Sequence, residues 1–362
     1  MILKDNSFTN LTHRAYYSLF KMKKIIVTGG SGFIGSNLVN YLIKKRYFVI
    51  NIDKLTYSSN KLKDKIRNNK NYKHFKVDIV NQKKLIGLIK KFKPKAIFNL
   101  AAETHVDRSI DGPKNFIHSN IIGTFNILES LRFLQKKGIK PKLIHISTDE
   151  VYGDIKKNFR SNENDRYEPS SPYSASKASA DHLVKSYIRT YNLKAVISNC
   201  CNNYGPYQFP EKLIPKIITN IFENKELPVY GNGKNSREWI HVEDHCEALF
   251  TLYLRGKNGE SYNVGSGINL DNIKLIKNIL KICKSMKIKI GNNTKIKFVK
   301  DRPGHDFRYA LDNKKIFKNL KWKAKINFKE GLKETILWYL ENKNFLNKIS
   351  KKNYDKRLGL KL

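Results

Sequence analysis

Cysteine is scarce in this chain. Its four residues, Cys200, Cys201, Cys246 and Cys283, form no CxxC pair and have no histidine at zinc-finger spacing. That excludes a disulfide scaffold and a cysteine-rich metal module, and it points to a reducing, cytoplasmic setting. Long apolar runs are missing too: none approaches the ~20 residues of a membrane span, so no membrane partner is expected. Acid is short, with 31 Asp and Glu against 70 Lys and Arg, for a formal net charge of +39. Arginine is also scarce, at 13 of those 70 residues. Nucleic-acid readers favour arginine and cluster their basic residues. Here lysine is dispersed along the whole chain, which reads as solvated surface, and no nucleic-acid partner is expected. Such a surface can still draw in an anionic small substrate. With 40% hydrophobic residues over 362 positions, the chain can bury one large core or two modest ones.

The first 21 residues lack the apolar stretch of a signal peptide. Residues 1–22 read as an extension, best explained by a start assigned upstream of Met22. They carry no cradle residue, so a chain begun at Met22 is expected to fold and turn over. From residue 23 strands and helices alternate: strands at Lys24–Thr28, Tyr47–Ile52, Lys73–Val77, Lys95–Leu100 and Lys142–Ser147, with a long helical stretch at Asn115–Gln135. Repeated βαβ units imply an α/β, Rossmann-like, doubly wound parallel sheet over residues 23–200. After residue 200, prolines 206, 210, 215 and 228 break the alternation. Residues 201–345 are expected to form mainly a smaller α+β substrate domain, with the stretch near 238–265 returning to the sheet. Residues 346–362 read as a frayed tail.

Gly29, Gly32 and Gly35 fall between the first strand and the first helix. Glycine there permits a tight turn and close approach of backbone to a pyrophosphate, and the helix start offers free N–H groups. Asp53 ends the next strand, where a carboxylate takes ribose hydroxyls and repels a 2′-phosphate, so NAD is favoured over its phosphorylated form. Lys54 beside it works slightly against that preference. Asp78 and Ile79 end the third strand, where an acid can meet the adenine amino group. Leu100-Ala101-Ala102-Glu103 ends the fourth, with small residues on which a cofactor can lie.

Tyr173 and Lys177 form a YxxxK pair, one helical turn apart on one face. An ammonium near a phenol lowers its pKa from ~10, so the pair can move a proton on and off a sugar hydroxyl. Upstream, Ser147-Thr148-Asp149-Glu150 closes the fifth strand. Paired carboxylates can divide acid and base roles when their surroundings separate their pKa values. His241 and His245 stand four apart, but no glutamate directly follows the first, so HExxH fails and no metal is expected.

These pieces, with TGGSGFIGSN, DKLTYSSN, AAETHVDRSI, SPYSASKASADH, NCCNNYGPYQFPEKLIP, PVYGNG, REWIHVEDH and DRPGHD, resemble the dTDP-glucose 4,6-dehydratase branch of the extended short-chain dehydrogenase/reductase family, from residue 23 to about 340. The resemblance implies a homodimer with tightly held NAD and a nucleotide-sugar substrate. It implies dehydration of dTDP-glucose to the 4-keto-6-deoxy sugar, as in dTDP-rhamnose synthesis. By motif, Tyr173 takes the O4 proton, Lys177 tunes it, Glu150 removes the C5 proton, Asp149 protonates the departing C6 hydroxyl, and Thr148 holds the O4 region. Asp149 is expected to have a raised pKa. The resemblance adds Phe33, Ile34, Leu55, Thr56, Thr104, Ser119 and Asn203 to the cofactor set. For the substrate it implies Thr104, Asn202, Lys212 and Leu213, then Pro228 and Tyr230 beside the base. Arg237 and Arg302 would fork onto the diphosphate, with Asn272, Asp301 and His305 completing the pocket. A UDP-glucose or other nucleotide-sugar 4,6-dehydratase, a 4-epimerase, and a non-catalytic NAD-binding protein are the alternatives. The Asp149-Glu150 pair separates dehydratases from epimerases.

Overall fold

The apolar runs of the first half become strands of one parallel sheet in the computed structural model, which describes residues 22–60, 62, 64–347 and 358–359. β1 (Lys24–Thr28), β2 (Phe48–Asp53), β3 (Tyr72–Lys76), β4 (Ala96–Asn99), β5 (Lys142–Thr148) and β6 (Ala195–Cys200) come first. β7 (Asn202–Tyr204), β8 (Leu227–Tyr230), β9 (Ser236–His241), β10 (Ser261–Val264), β11 (Asn269–Asp271) and β12 (Ile296–Val299) follow. The large sheet has the order β10-β6-β5-β4-β1-β2-β3. The chain runs outward from β1 through β3, then restarts on the other side at β4. The order therefore reverses between β1 and β4, and doubly wound sheets take their ligands at the carboxyl ends beside such a reversal.

These strands read as continuous apolar runs because both faces are covered. Ile25, Val27, Val49, Phe98 and Ile144 pack on one face with Leu38 and Leu42 of helix Phe33–Lys44 and Leu249 of helix Val242–Arg255. Ile26, Ile50, Ile97 and Leu143 pack on the other with Leu85 and Ile89 of helix Gln82–Phe92 and Ile127 of helix Gly123–Gln135. The Asn115–Gln135 stretch is not one regular helix: a π-helical turn spans Ile117–Ile122. Such turns gather at functional sites, and this one carries Asn120, whose amide donates to the Glu103 carbonyl (3.0 Å) and to Ser176 Oγ (2.8 Å).

The second lobe holds a β11-β9-β7 sheet and a β12-β8 pair. Its own core sets Ile214, Ile217 and Ile218 against Leu275, Ile276 and Ile279, with Leu332 and Ile336 closing it. Helix Val242–Arg255 and β10 belong to the large sheet. The extension 1–21 and most of the tail lie outside the described residues. The tail expectation fails at residues 358 and 359: Leu358 lines a cavity of the second lobe, and the Gly359 N–H donates to Asp111 (3.0 Å).

Candidate active site

Three cavities adjoin along the carboxyl ends of the strands: a cradle cavity beside β1 and β2, a central one over β5, and a far one under the second lobe. The glycines build the first. Gly29 has φ +69°, and a Cβ there would come within 2.7 Å of the Ala101 nitrogen. A Cβ on Gly35 would stand 2.0 Å from the Gly29 carbonyl oxygen. Both are required by the protein's own packing. Gly32 is different: its Cβ would meet only the Gly29 oxygen, at 3.3 Å, yet the residue lines both the cradle and central cavities. A ligand lying against the backbone is what needs glycine there. Helix Phe33–Lys44 begins at Gly32 with no side-chain cap and no acid in its first turn. Its open N–H groups therefore remain for an anion, and Phe33, Ile34 and Gly35 line the central cavity. The cradle fits a dinucleotide.

Asp53 accepts from the Ser31 N–H (2.9 Å) and the Leu55 N–H (2.8 Å) while facing the cavity. A carboxylate has about four lone-pair sites, so capacity for ribose hydroxyls remains. Lys54 does not offer its charge to a 2′-phosphate. Its ammonium donates to Ser119 Oγ (2.9 Å) and pairs with Glu103 (3.4 Å) and Asp78 (3.7 Å). Thr56, Ile79, Leu100, Ala101 and Ala102 also line the cradle. Leu55 does not: at φ +61° it is 44% exposed, and its N–H is spent on Asp53.

The central cavity gathers Thr148, Asp149, Glu150, Tyr173 and Lys177. β5 ends at Thr148, whose Oγ1 accepts from the Glu150 N–H (3.3 Å) and donates to Asp149 Oδ1 (3.2 Å). The chain then turns tightly over Asp149–Tyr152, so both carboxylates stay at the strand end. Burial, reinforced by Glu150, pushes Asp149 well above the usual carboxylate range, with Arg237 opposing. Burial also raises Glu150, but Arg302, Arg237 and Lys212 all pull it back. A capping box between Ser171 and Ser174, with Pro172 at the first position, starts the helix Pro172–Tyr191. That register places Tyr173 and Lys177 on one buried face. The Tyr173 phenol does not follow the expected direction: burial, Glu150 and Cys200 hold it well above its ordinary value, and Thr148 opposes. Lys177 sends its ammonium to the Ile146 carbonyl (2.6 Å), not to the phenol.

At the substrate end, Thr104, Asn202 and Lys212 line both the central and far cavities. Leu213, Pro228, Tyr230, Arg237, Asn272, Arg302 and His305 line the far one. Arg302 fits an anion well: Nη1 pairs with Asp107 (2.8 Å), while its buried Nε has no hydrogen-bond partner among the described residues. Arg237 departs from expectation. It is 7% exposed, its Nη groups donate to the carbonyls of Ser236 (2.8 Å) and Asp306 (2.9 Å), and it stacks on Tyr309 at 4.2 Å. Its charge reaches the carboxylates through space while most of its fork is spent on backbone. Asp301 stands behind the cavity wall, accepting from the Arg302 N–H (2.8 Å) and pairing with His305 Nδ1 (2.6 Å). Asn203 lines the central cavity, with its Oδ1 2.8 Å from His245 Nδ1. Burial lowers the His245 pKa to about 3, so it is neutral, and His241 caps its helix. The two histidines serve structure.

Of the lining residues that the sequence reading did not name, Asp107, Glu211 and Leu358 bear most on the site. Asp107 holds Arg302 and accepts from the Tyr230 hydroxyl (2.8 Å). Glu211 lines the central and far cavities and accepts from Tyr57 (3.0 Å) and Arg108 (3.1 Å). Leu358 is the third. Asp107 and Glu211 lie inside quoted motifs, so only their partners were missing; Leu358 had no signal beyond an apolar pair in a basic tail.

A family model described as GDP-mannose 4,6 dehydratase matches residues 26–335. A dTDP-glucose 4,6-dehydratase of Escherichia coli is 45% identical over 360 residues, 93% of this chain and 99% of that protein. Among solved structures, the dTDP-glucose 4,6-dehydratase of Bacillus anthracis, in complex with NAD, is 40% identical, with TM-score 0.82, over 91% of this chain and 100% of that one. The Streptomyces venezuelae enzyme of the same name, also with NAD bound, is 39% identical, with TM-score 0.83, over 89% of this chain and 98% of that one. With that identity sustained over nearly the full length of both partners, the chain belongs to the dTDP-glucose 4,6-dehydratase family.

Proposed function

We propose that this chain dehydrates dTDP-glucose to dTDP-4-keto-6-deoxyglucose. The observation that carries the reading is the Asp149-Glu150 pair at the end of β5, Asp149 buried and Glu150 half-buried, where the cofactor side meets the substrate side; Glu150 lines both the central and far cavities. Gly29, Gly32, Gly35, Asp53 and Lys177 would hold NAD. When bound there, it supplies a hydride acceptor for C4 and, once reduced, the donor for C6. Tyr173 takes the O4 proton, and Thr148 orients that hydroxyl. Glu150, drawn toward ionisation by three cations, removes the C5 proton made acidic by the 4-keto group, and C5 is reprotonated when the hydride arrives at C6. Asp149, held protonated by burial and by Glu150, gives its proton to the C6 hydroxyl, and water leaves. One carboxyl acts as base and its neighbour as acid because their surroundings differ. Arg302 and Lys212 hold the diphosphate, and Pro228 and Tyr230 flank the base.

Residues 23–200 with 242–264 form the cofactor half, and most of the remainder to 345 forms the substrate half. A homodimer is supported by apolar Ile117, Ile122 and Phe125, exposed along one helical segment; light scattering of the wild type and of Phe125→Glu tests it. The buried free thiols suit the cytoplasm, and the product suits dTDP-rhamnose synthesis. The deciding experiment incubates the purified protein with dTDP-glucose and with UDP-glucose and reads the alkali-induced absorbance of a 4-keto sugar. Product from dTDP-glucose is expected. Product from UDP-glucose alone would move the substrate to the other nucleotide, and none from either would leave an NAD-binding protein.

A further inference from the structure

Behind the catalytic pair lies a buried acid with no part in the chemistry above. Tyr173, Lys177 and Asp181 occupy positions i, i+4 and i+8 of helix Pro172–Tyr191, on one buried face. Asp181 is fully buried. Its Oδ2 accepts from Ser147 Oγ (2.6 Å) and the Tyr167 hydroxyl (3.1 Å), and the Asn199 amide stands 3.5 Å away. His145 Nε2 lies 3.3 Å from Oδ1.

None of those neighbours brings a positive charge. Thr28 Oγ1 donates to Asn99 Oδ1 (2.7 Å), so the Asn99 amide nitrogen, 3.2 Å from His145 Nδ1, donates to it. His145 then carries its proton on Nε2, facing Asp181. Burial, with Lys177 adding to it, lowers the His145 pKa and keeps the ring neutral. Against its burial, Asp181 is held ionised first by the His145 contact and then, through space, by Lys177, one turn back on the same helix and the one full cation of the two. Lys177 in turn faces Asp181 and Cys200 of β6. The Cys200 thiol is pushed to about 12 by burial and stays neutral. Tyr152 also faces Asp181, as a neutral phenol. Asp149 and Glu150 lie at the far, Tyr173 end of the stack. A buried charge without a partner is very costly, so the negative charge of Asp181 and the positive charge of Lys177 require each other. β5 ties the two together: Ile146 accepts from Lys177, and the next residue, Ser147, donates to Asp181.

We propose that Asp181 is the fixed counter-charge of Lys177, a positioning residue that keeps the ammonium charged beneath Tyr173. The catalytic consequence rests on the dehydratase reading; the charge pair does not. Without the negative charge, Lys177 gives up its proton more readily, so its charged form is lost at a lower pH.

The test combines a melting cycle with a pH profile. Asp181→Asn and Lys177→Met each strand one buried charge and lower the melting temperature. Asp181→Asn/Lys177→Met strands none and recovers most of that loss. In turnover of dTDP-glucose, Asp181→Asn should move the alkaline limb of kcat downward by about one pH unit, a tenfold loss at a pH on that limb, with KM unchanged. Asp181→Glu, which keeps the charge, should restore the limb even where it costs stability. Additive melting losses in the double variant, or a kcat loss equal at every pH, would overturn the proposal. Where Asp181→Asn does not fold, a folded double variant upholds the pairing and an unfolded one refutes it. A wild type that forms no keto sugar would sink the functional reading and leave the melting cycle standing as the test of the pair.

Discussion

Gly32 and Gly35 sit three residues apart in one turn, and the structure assigns them different reasons for being glycine. A methyl at position 35 would lie 2.0 Å from the Gly29 oxygen and 2.7 Å from the Gly30 Cα, both backbone atoms that cannot swing aside. Overpacking of that kind costs roughly 1–3 kcal/mol or more. At roughly 1.3 °C per kcal/mol for a chain of 362 residues, Gly35→Ala should melt about 1–4 °C below the wild type. Gly32 has φ −75° and ψ −179°, which alanine adopts freely, and its single close neighbour stands at 3.3 Å. Gly32→Ala should therefore stay within about 0.5 kcal/mol of the wild type once nucleotide is stripped from both. The same methyl projects where a pyrophosphate would lie, so NAD affinity should fall at least about tenfold, or ~1.4 kcal/mol. Two readouts check this: the NAD(H) released per chain when the purified protein is denatured, and the gain in melting temperature as NAD is added back, which scales with affinity. A Gly32→Ala protein that retains full nucleotide and the full thermal gain, or a Gly35→Ala protein that melts like the wild type, would refute the assignment.

The chemistry offers further tests. Glu150→Gln keeps shape but removes the base, so solvent-deuterium exchange at C5 should fall by about 10²–10⁴-fold; normal exchange would dismiss that role. Asp149 must be protonated to act, and its pKa is raised, so elimination should hold at neutral pH and decline as pH rises through that value; Asp149→Asn should be slow at every pH, with a 6-fluoro substrate partly restoring it. Tyr173→Phe should stall oxidation at C4 by a comparable factor, and the fluoro substrate should give no rescue, because the lesion precedes loss of the C6 group. Arg302→Met leaves Asp107 without its cation and removes the open Nε, so KM for dTDP-glucose should rise more than kcat falls, read from initial rates.

Much of this arrangement is legible in spacing, because spacing decides faces. The strand-glycine-helix pattern at 24–44 marks the cradle, since the tight approach of backbone at positions 29 and 35 leaves no room for a Cβ. The four-residue interval from Tyr173 to Lys177 puts both on one side of a helix, and the Asp149-Glu150 pair ends β5 because the apolar run of that strand stops at Thr148. What spacing leaves out is where long, flexible side chains send their tips. Arg302 reaches Asp107 across 195 positions, and Tyr57 reaches Glu211 across 154. No local pattern carries either pairing. The π turn at 117–122 is equally silent, because its apolar positions also satisfy an α-helix.

The Tyr173 phenol shows how such a tip can reverse an inference that the spacing supports. YxxxK places an ammonium in reach of the phenol and so argues for a lowered pKa. The outcome depends on which acceptor the ammonium chooses, and Lys177 chooses the Ile146 carbonyl. Burial and the neighbouring Glu150 then dominate the phenol and raise it. The carboxylates behave in the opposite manner. Asp149 and Glu150 are adjacent and chemically almost alike, so nothing local separates them. Separation comes from three cations brought by distant segments, Lys212, Arg237 and Arg302, all of which favour the charge on Glu150, whereas Asp149 has Arg237 opposing its burial. On the proposed reading, the division into acid and base therefore depends on the cations that the second lobe brings to the strand end. A variant that loosens that lobe should bring the two carboxyls toward one another in pKa and lose elimination before it loses oxidation at C4.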